Sequence, residues 1–371
     1  MKFTVDRSTF IEGVQKTLGI VERRTTLPIL NNILIETHDD FIRIAATDRE
    51  IGMIADYNAT VETPGSITVP AKKLHEMIRE IDGEQVSFSL RDNNRIDITC
   101  EQVAFRIPGI NADEFPALEA SLPQDYSDVS TFLFRDMVGK TYFAISQDEM
   151  RPTLSGVCFT LRDGEMEMVS TDGHRLALSR KKGDNFSQCH DVPGVIIPRK
   201  GVLEIRKLLE TSDDVVRIAV DEKTFFLKTN RTLLRINLID GVYPDYEKVL
   251  PTDDGVVLKV EKSQLLHALR RMSVMSSDRF SGVKIRLENN KMFLDSTNPD
   301  VGEAHDEITI DYTGDIFEVG YNVRYLIDAI DVISDDEIIF EVRKDRGPGV
   351  IRPAGSDGYM CVVMPVKIRK D

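Results

Sequence analysis

The sequence predicts an α+β protein made of three tandem copies of one domain, each with two helices and many antiparallel strands. Three observations predict it. The step Thr-Asp or Thr-Asn recurs at Thr47, Thr171 and Thr297, spaced by 124 and 126 residues. Asn32, Gly156 and Gly282 keep those spacings upstream, within "ILNNILIE", "TLSGVCFTL" and "FSGVKIRL". Downstream, "GSITVPAKKLHEMIREI", "GVIIPRKGVLEIRKLL" and "FEVGYNVRYLIDAIDVI" take the same place in successive copies. A period this long exceeds the ~20–50 residues of stacked repeats, so each copy is a domain with its own core. The copies span 1–124, 125–252 and 253–371; the joins "LPQDYSD" and "LPTDDG" carry the Pro, Asp and Gly of short linkers.

Each copy reads alike along the chain. A short alternating strand ("KFTVD", "STFLFR", "VVLKVE") leads into an amphipathic helix, placed at 8–22, 136–147 and 263–275 by apolar residues at helical spacing. Strands rich in Val, Ile, Phe and Thr follow, bounded by Asp-Asn, Asp-Gly and Asn-Asn turns. A second helix comes next, at 71–81, 199–209 and 323–333, and the last strands run into a Phe-Pro or Tyr-Pro step in the first two copies. Two helices beside antiparallel strands make each copy α+β.

Bulk composition narrows the function. With 41% apolar and 29% charged residues, the 371-residue chain is that of a folded soluble protein. No apolar run approaches the ~18 residues of a membrane span. The start "MKFTVDRSTF" lacks the apolar core of a signal peptide, so a cytoplasmic location is expected. Cys100, Cys158, Cys189 and Cys361 form no CxxC pair and read as reduced thiols.

The net charge of −15 is unevenly spread. The six predicted helices with their flanks hold 17 basic and 10 acidic residues, hence +7, which leaves −22 elsewhere. Three related domains side by side in an arc would turn their equivalent helices the same way, giving a positive inner face. The free strand edges at the ends of such an arc need covering. A second copy meeting it end to end would close the symmetry into a ring. A positive lining without base-reading groups suits sequence-independent contact with DNA phosphates.

"STDGHRLAL" (170–178) looks catalytic, with Asp172 and His174 as a base and its orienter. The repeat argues otherwise: Glu50 and Asp300 stand where His174 stands in the middle copy. What recurs is Thr followed by Asp or Asn at a strand end, which is turn chemistry. An enzyme reading, a nucleic-acid phosphodiesterase using Asp172 and His174, has no HExxH, GxGxxG or GxxxxGK[ST] beside it. A further alternative is an interaction scaffold that never touches DNA. No metal or cofactor is expected.

In combination, "TLPIL" (26–30), "TVPAKK" (68–73), "STDGHRLAL", "IIPRKG" (196–201), "YPDYEKVLP" (243–251) and "VVMP" (362–365) carry a resemblance over essentially the whole chain. It resembles the bacterial sliding clamps, the beta subunits of DNA polymerase III. The resemblance implies a half-ring of three domains that dimerises head to tail into a closed ring round duplex DNA. It also implies a processivity factor that cuts and joins nothing. Such a factor tethers the replicative polymerase, the clamp loader and repair proteins through short linear motifs.

Residue by residue, the resemblance implies a hydrophobic peptide cleft between the second and third domains. It would be lined by Arg151, Thr171, Gly173, His174, Arg175, Leu176, Pro244, Lys248, Val249, Asn322, Tyr325, Val362, Val363, Met364 and Pro365. DNA contacts are expected at Arg24, Arg79, Lys200 and Arg279, and a dimer contact of Phe105 and Ile107 with Val274 and Met275. Two departures stand out. Pro152 and Thr153 follow Arg151 where the family often has an aromatic, and Arg369, Lys370 and Asp371 extend past the family's usual end at Ile368.

Overall fold

The computed structural model describes the chain except residues 22–26, 119–122, 124, 184–190, 251–254, 278–280, 344–346, 356–357 and 368–371. Six α-helices lie among the described residues: α1 (Arg7–Thr17), α2 (Ala71–Arg79), α3 (Thr131–Tyr142), α4 (Arg199–Glu210), α5 (Lys262–Ser273) and α6 (Val323–Asp331). The backbone falls into two compact units, one of residues 1–134 and 200–238, the other of 135–199 and 239–371.

The first unit holds two antiparallel sheets. The smaller runs Thr60–Thr63, Lys2–Asp6, Gln85–Arg91, Arg95–Cys100, Val103–Pro108. The larger runs Ser127–Ser130, Val215–Val220, Thr224–Lys228, Thr232–Asn237, Ile51–Asn58, Phe41–Thr47, Asn32–Thr37, Ser66–Pro70. It therefore joins strands of the first and second sequence copies, Ile236 standing opposite Ile51. Helix α1 starts where the Asp6 carboxylate accepts the Thr9 amide at 2.8 Å, satisfying one of the free N–H groups of its first turn. It buries Phe10, Gly13, Val14 and Thr17, one stripe at helical spacing. Phe10 meets Phe88, which stacks on Phe3, with centroids 4.7 Å apart in both pairs. Each such buried ring contributes ~1.5–3 kcal/mol.

The second unit repeats the arrangement. Its larger sheet runs Val192–Pro198, Gly156–Arg162, Glu165–Thr171, Arg175–Lys182, Tyr359–Val363, Gly349–Pro353, Glu337–Val342, Val256–Glu261. The smaller runs Gly302–Thr309, Lys291–Asn298, Gly282–Glu288, Phe317–Asn322. Helices α5 and α6 pack together over a core that includes Leu265, Leu269, Met272, Ile285, Leu294, Leu326, Ile330 and Phe340.

One predicted element is misplaced. The first helix of the second copy, expected at 136–147, is α3 and starts at Thr131. The stretch "STFLFR" is therefore a helix start and not a strand. Its alternation misled because Phe132 is 73% exposed while Phe134 is buried. Ser130 stands 124 residues after Asp6, and like Asp6 it takes an amide of the first turn, Leu133 N–H to its hydroxyl at 3.4 Å.

Candidate peptide-binding cleft

The "STDGHR" stretch closes the hairpin between Glu165–Thr171 and Arg175–Lys182. The Thr171 hydroxyl donates to the Arg175 carbonyl at 2.6 Å and accepts the Gly173 amide at 3.1 Å. One oxygen of Asp172 takes the His174 and Arg175 amides at 2.9 and 3.0 Å. Gly173 holds φ +88°, the left-handed region that glycine enters without strain. In the first unit, Thr47 and Asp48 make the same set: Thr47 to the Ile51 carbonyl at 2.8 Å, Asp48 to the Glu50 and Ile51 amides at 2.9 and 2.6 Å. The recurrent Thr-Asp is turn chemistry.

The second oxygen of Asp172 accepts Arg175 Nε at 3.1 Å. Both carboxylate oxygens are thus committed to the turn and its arginine, not to orienting the imidazole of His174. An acid–base pair needs the carboxylate on the ring.

Arg175 organises the site. Its side chain is 10% exposed, and besides Asp172 it donates to Asp328 at 2.6 Å and to the Phe143 carbonyl at 2.7 Å. The guanidinium lies over the rings of Tyr325 (4.4 Å) and Phe143 (5.1 Å). Burial works to lower its pKa, but the hydrogen bond and charge of Asp328 together with the charge of Asp172 raise it. Planar stacking combined with several donors is what an arginine provides and a lysine does not. Asp328 and Tyr325 both stand on α6, which the Asn322 side chain caps by accepting the Arg324 amide at 3.0 Å. The exposed His174 ring stacks near Tyr325, with centroids 6.4 Å apart.

Beside this network lies an apolar floor. Leu176 and Val362, opposite each other on paired strands, cluster with Leu154, Cys158, Val169, Leu178, Ile196 and Tyr243. Burial pushes the Cys158 thiol up to about 11, so it serves as an inert apolar group. The rim is exposed: Pro244, Lys248, Val249 at 54% and Met364 at 46%. Lys248 is paired with Asp245 at 2.8 Å on the same short turn. The segment after the last strand is strung along the rim, the Met364 amide donating to the His174 carbonyl and the Val366 amide to the Gly320 carbonyl, both at 2.8 Å. Arg151, exposed, brings a guanidinium nitrogen 3.1 Å from where a Cβ on Gly173 would lie.

One expected lining residue is corrected. Val363 is fully buried in the large core of the third copy, because successive side chains of a strand face opposite ways. Val362, itself 3% exposed, points the other way and packs in the cluster with Leu176. Residues the sequence reading missed include Leu154, Tyr243, Tyr246, Phe143 and Asp328. The motif "YPDYEKVLP" pointed at the two tyrosines, whereas Asp328 lies 153 residues from Arg175 and left no signal.

The first unit shows why the same turn need not make a second cleft. Gly52 stands where Leu176 stands, and a Cβ there would lie 2.8 Å from Leu118 Cδ2, so Leu118 fills the space. Arg235, opposite Gly52 on its paired strand, takes the place of Val362. The floor is charged and self-filled.

Other expected residues are placed as follows. Arg79 is exposed at the end of α2 and pairs with Glu80 at 3.0 Å. Lys200 opens α4 with its ammonium bonded to Asp48 and to the Ile20 carbonyl. Arg24 and Arg279 lie outside the described residues, as do Cys189 and the last residues from 368 on. Phe105 and Ile107 stand on Val103–Pro108, the edge of the smaller sheet. Phe105 is half-buried, and Ile107, at 4% exposed, packs into its own domain's core. Val274 is 69% exposed just past α5, and Met275 is half-buried. Cys100, Cys158 and Cys361 are free and buried. No helix among the described residues is long and apolar enough to cross a membrane.

Comparison with known proteins agrees along the entire chain. Residues 1–119, 128–245 and 247–367 match the N-terminal, central and C-terminal domains of the DNA polymerase III beta subunit. The beta sliding clamp of Caulobacter vibrioides is 32% identical over 374 residues, covering 99% of this chain and 100% of its own. The crystal structure of a sliding clamp from Bartonella birtlesii bound to griselimycin superposes with a TM-score of 0.93 at 32% identity, covering 99% of this chain and 100% of its own. That of the Bacillus subtilis clamp gives 0.94 at 28% identity with 100% of both chains covered. Three tandem clamp domains, matched in order by sequence and by backbone, place this chain in the family of bacterial sliding clamps, the beta subunits of DNA polymerase III.

Proposed function

We propose that two copies of this chain close head to tail into a ring round duplex DNA and hold the replicative polymerase on its template, catalysing nothing themselves. The observation that carries the reading is the apolar floor of Leu176 and Val362, with Val249 and Met364 exposed at its rim and the Arg175 network fixing its edge. Apolar floors with a few oriented polar groups are what short peptide motifs dock on. Polymerase, clamp loader and repair proteins would share it in turn. The domains would be 1–124, 125–252 and 253–371, in the cytoplasm.

Closure would use the exposed strand edges at Val103–Pro108 and Gly302–Thr309, with Phe105 meeting Val274 and Met275 of a second copy. DNA would be held by Arg24, Arg79, Lys200 and Arg279 through phosphates alone, a contact loose enough for sliding.

The test is retention on nicked circular DNA after incubation with the cognate loader and ATP, before and after the circle is cut. A ring stays on circles and is lost from linear DNA. Equal retention on both would mean ordinary surface binding and would sink the topological reading. No retention on either, with a loader shown to be active on a known clamp, would favour a scaffold.

A further inference from the structure

We infer that Tyr246, Glu167 and Arg180 form a positioning device for the outer wall of the cleft. The inference rests on the reading of the Leu176–Val362 floor as a peptide site. Of the three, only the Tyr246 ring touches the cluster that forms that floor.

The wall is the short helical turn Tyr246–Val249, which carries Lys248 and the exposed Val249. A turn this short has almost no stability of its own, so its position must be set from outside. Apolar contact supplies part of that: Tyr246 and Leu250, before and after the exposed pair, pack against the cluster under the floor. Apolar contact is non-directional and leaves the turn free to slide or rotate. Direction comes from the Tyr246 hydroxyl, which donates to one oxygen of Glu167.

Glu167 lies on Glu165–Thr171 with its side chain 13% exposed, and its other oxygen accepts Arg180 Nε from the neighbouring strand, where the two residues are directly paired. Arg180 reaches the turn as well, with Nη2 3.7 Å from Glu247. Its own amide donates to the Gly358 carbonyl at 2.6 Å, just ahead of the strand Tyr359–Val363 that brings Val362 to the floor. One shielded carboxylate thus joins the wall, through Tyr246, to the strand seam that carries the floor, through Arg180. Hydrogen bonds to an ionised group in a shielded place are short and directional. The distance between Val249 and the Leu176–Val362 floor is set by this link.

Griselimycin affinity, measured by surface plasmon resonance on the full chain, tests the idea. Tyr246→Phe keeps the ring in the cluster and removes only the hydroxyl. It should weaken binding about fivefold while the melting temperature of the free chain stays within about 1 °C. Glu167→Gln, which keeps an acceptor but loses the charge, should fall between Tyr246→Phe and the parent, and stands in if the first variant folds poorly. Val249→Ala should weaken binding about tenfold. The double variant Tyr246→Phe/Val249→Ala should be no worse than about tenfold, because the hydroxyl acts only through Val249.

Unchanged affinity in Tyr246→Phe, or losses that multiply in the double variant, overturns the positioning role while leaving the cleft intact. A loss matched by an equal fall in melting temperature also overturns it, showing a general structural part. If the parent chain does not bind griselimycin, the cleft reading fails and takes this inference with it.

Discussion

Replacing Arg175 by alanine should destabilise the free protein by about 3 kcal/mol, although Arg175 lies at the proposed peptide cleft. The guanidinium makes three hydrogen bonds, two to carboxylates and one to the Phe143 carbonyl, and covers two rings. Removing one partner of a fully buried ion pair costs ~3–5 kcal/mol, because a charge is left without compensation. Here the remaining charges are partly relieved. Asp172 keeps two backbone amides and Asp328 is 42% exposed, which brings the electrostatic part to ~2 kcal/mol. Losing the apolar stem and the stacking on Tyr325 and Phe143 adds ~1 kcal/mol. Urea unfolding followed by far-ultraviolet circular dichroism is the assay, since the chain has no tryptophan to report by fluorescence. With a slope of ~3 kcal/mol per molar urea, the transition of the second unit should move down by ~1 M. Arg175→Lys keeps the charge but not the fork and should recover about a third of the loss. The Asp328→Asn variant should couple to Arg175→Ala, the two losses failing to add. A midpoint within 0.2 M (roughly the error of the extrapolation) for Arg175→Ala would refute the reasoning. So would strict additivity with Asp328→Asn.

Two further outcomes are expected. Lys200→Ala should cost the first unit ~1–2 kcal/mol without any DNA present, because it strips the charged partner from Asp48, whose side chain is 3% exposed; the two turn amides that Asp48 keeps and the 39% exposure of Lys200 hold the figure below that of a fully buried pair. Thermal unfolding of the free chain checks it, and a variant that melts like the parent while losing only salt-sensitive DNA binding would contradict it. The hydrogen bond and charge of Asp295, with a smaller pull from Glu303, raise the pKa of His305, so the imidazole titration read by NMR should lie above the ~6.5 of a free histidine and fall toward it in Asp295→Asn. The sign follows: this pair supports the fold below the free value and its support is lost as pH rises through the folded value. A midpoint at or below 6.5 in the parent would show that the pair does not form in solution.

What the sequence determined by itself is whatever chemistry acts over a few residues. Apolar spacing placed five of the six first- and second-helix segments close to where they fold, and the Thr-Asp step could be read as a turn because its hydrogen bonds close within five residues, from Thr171 to Arg175. Where two local signals competed, the reading slipped: "STFLFR" alternates like a strand, yet the Ser130 cap and the burial of Phe134 start a helix there. The family motifs pointed at Leu176, Pro244, Val249 and Val362 without saying what holds them together.

Tertiary structure decided the rest, because register between distant strands leaves no trace in local composition. Pairing of Arg175–Lys182 with Tyr359–Val363 brings Leu176 opposite Val362 and turns Val363 away into the core. Only that register puts Arg175 within reach of Asp328 on α6, and only the packing of the Tyr246–Val249 turn puts a tyrosine hydroxyl on Glu167. The same turn in the first unit meets Gly52, Leu118 and Arg235 and is filled from within. A hairpin repeated by sequence becomes a candidate binding site in one place because neighbouring side chains, supplied from far along the chain, pack an apolar floor there beneath the exposed Val249 and Met364.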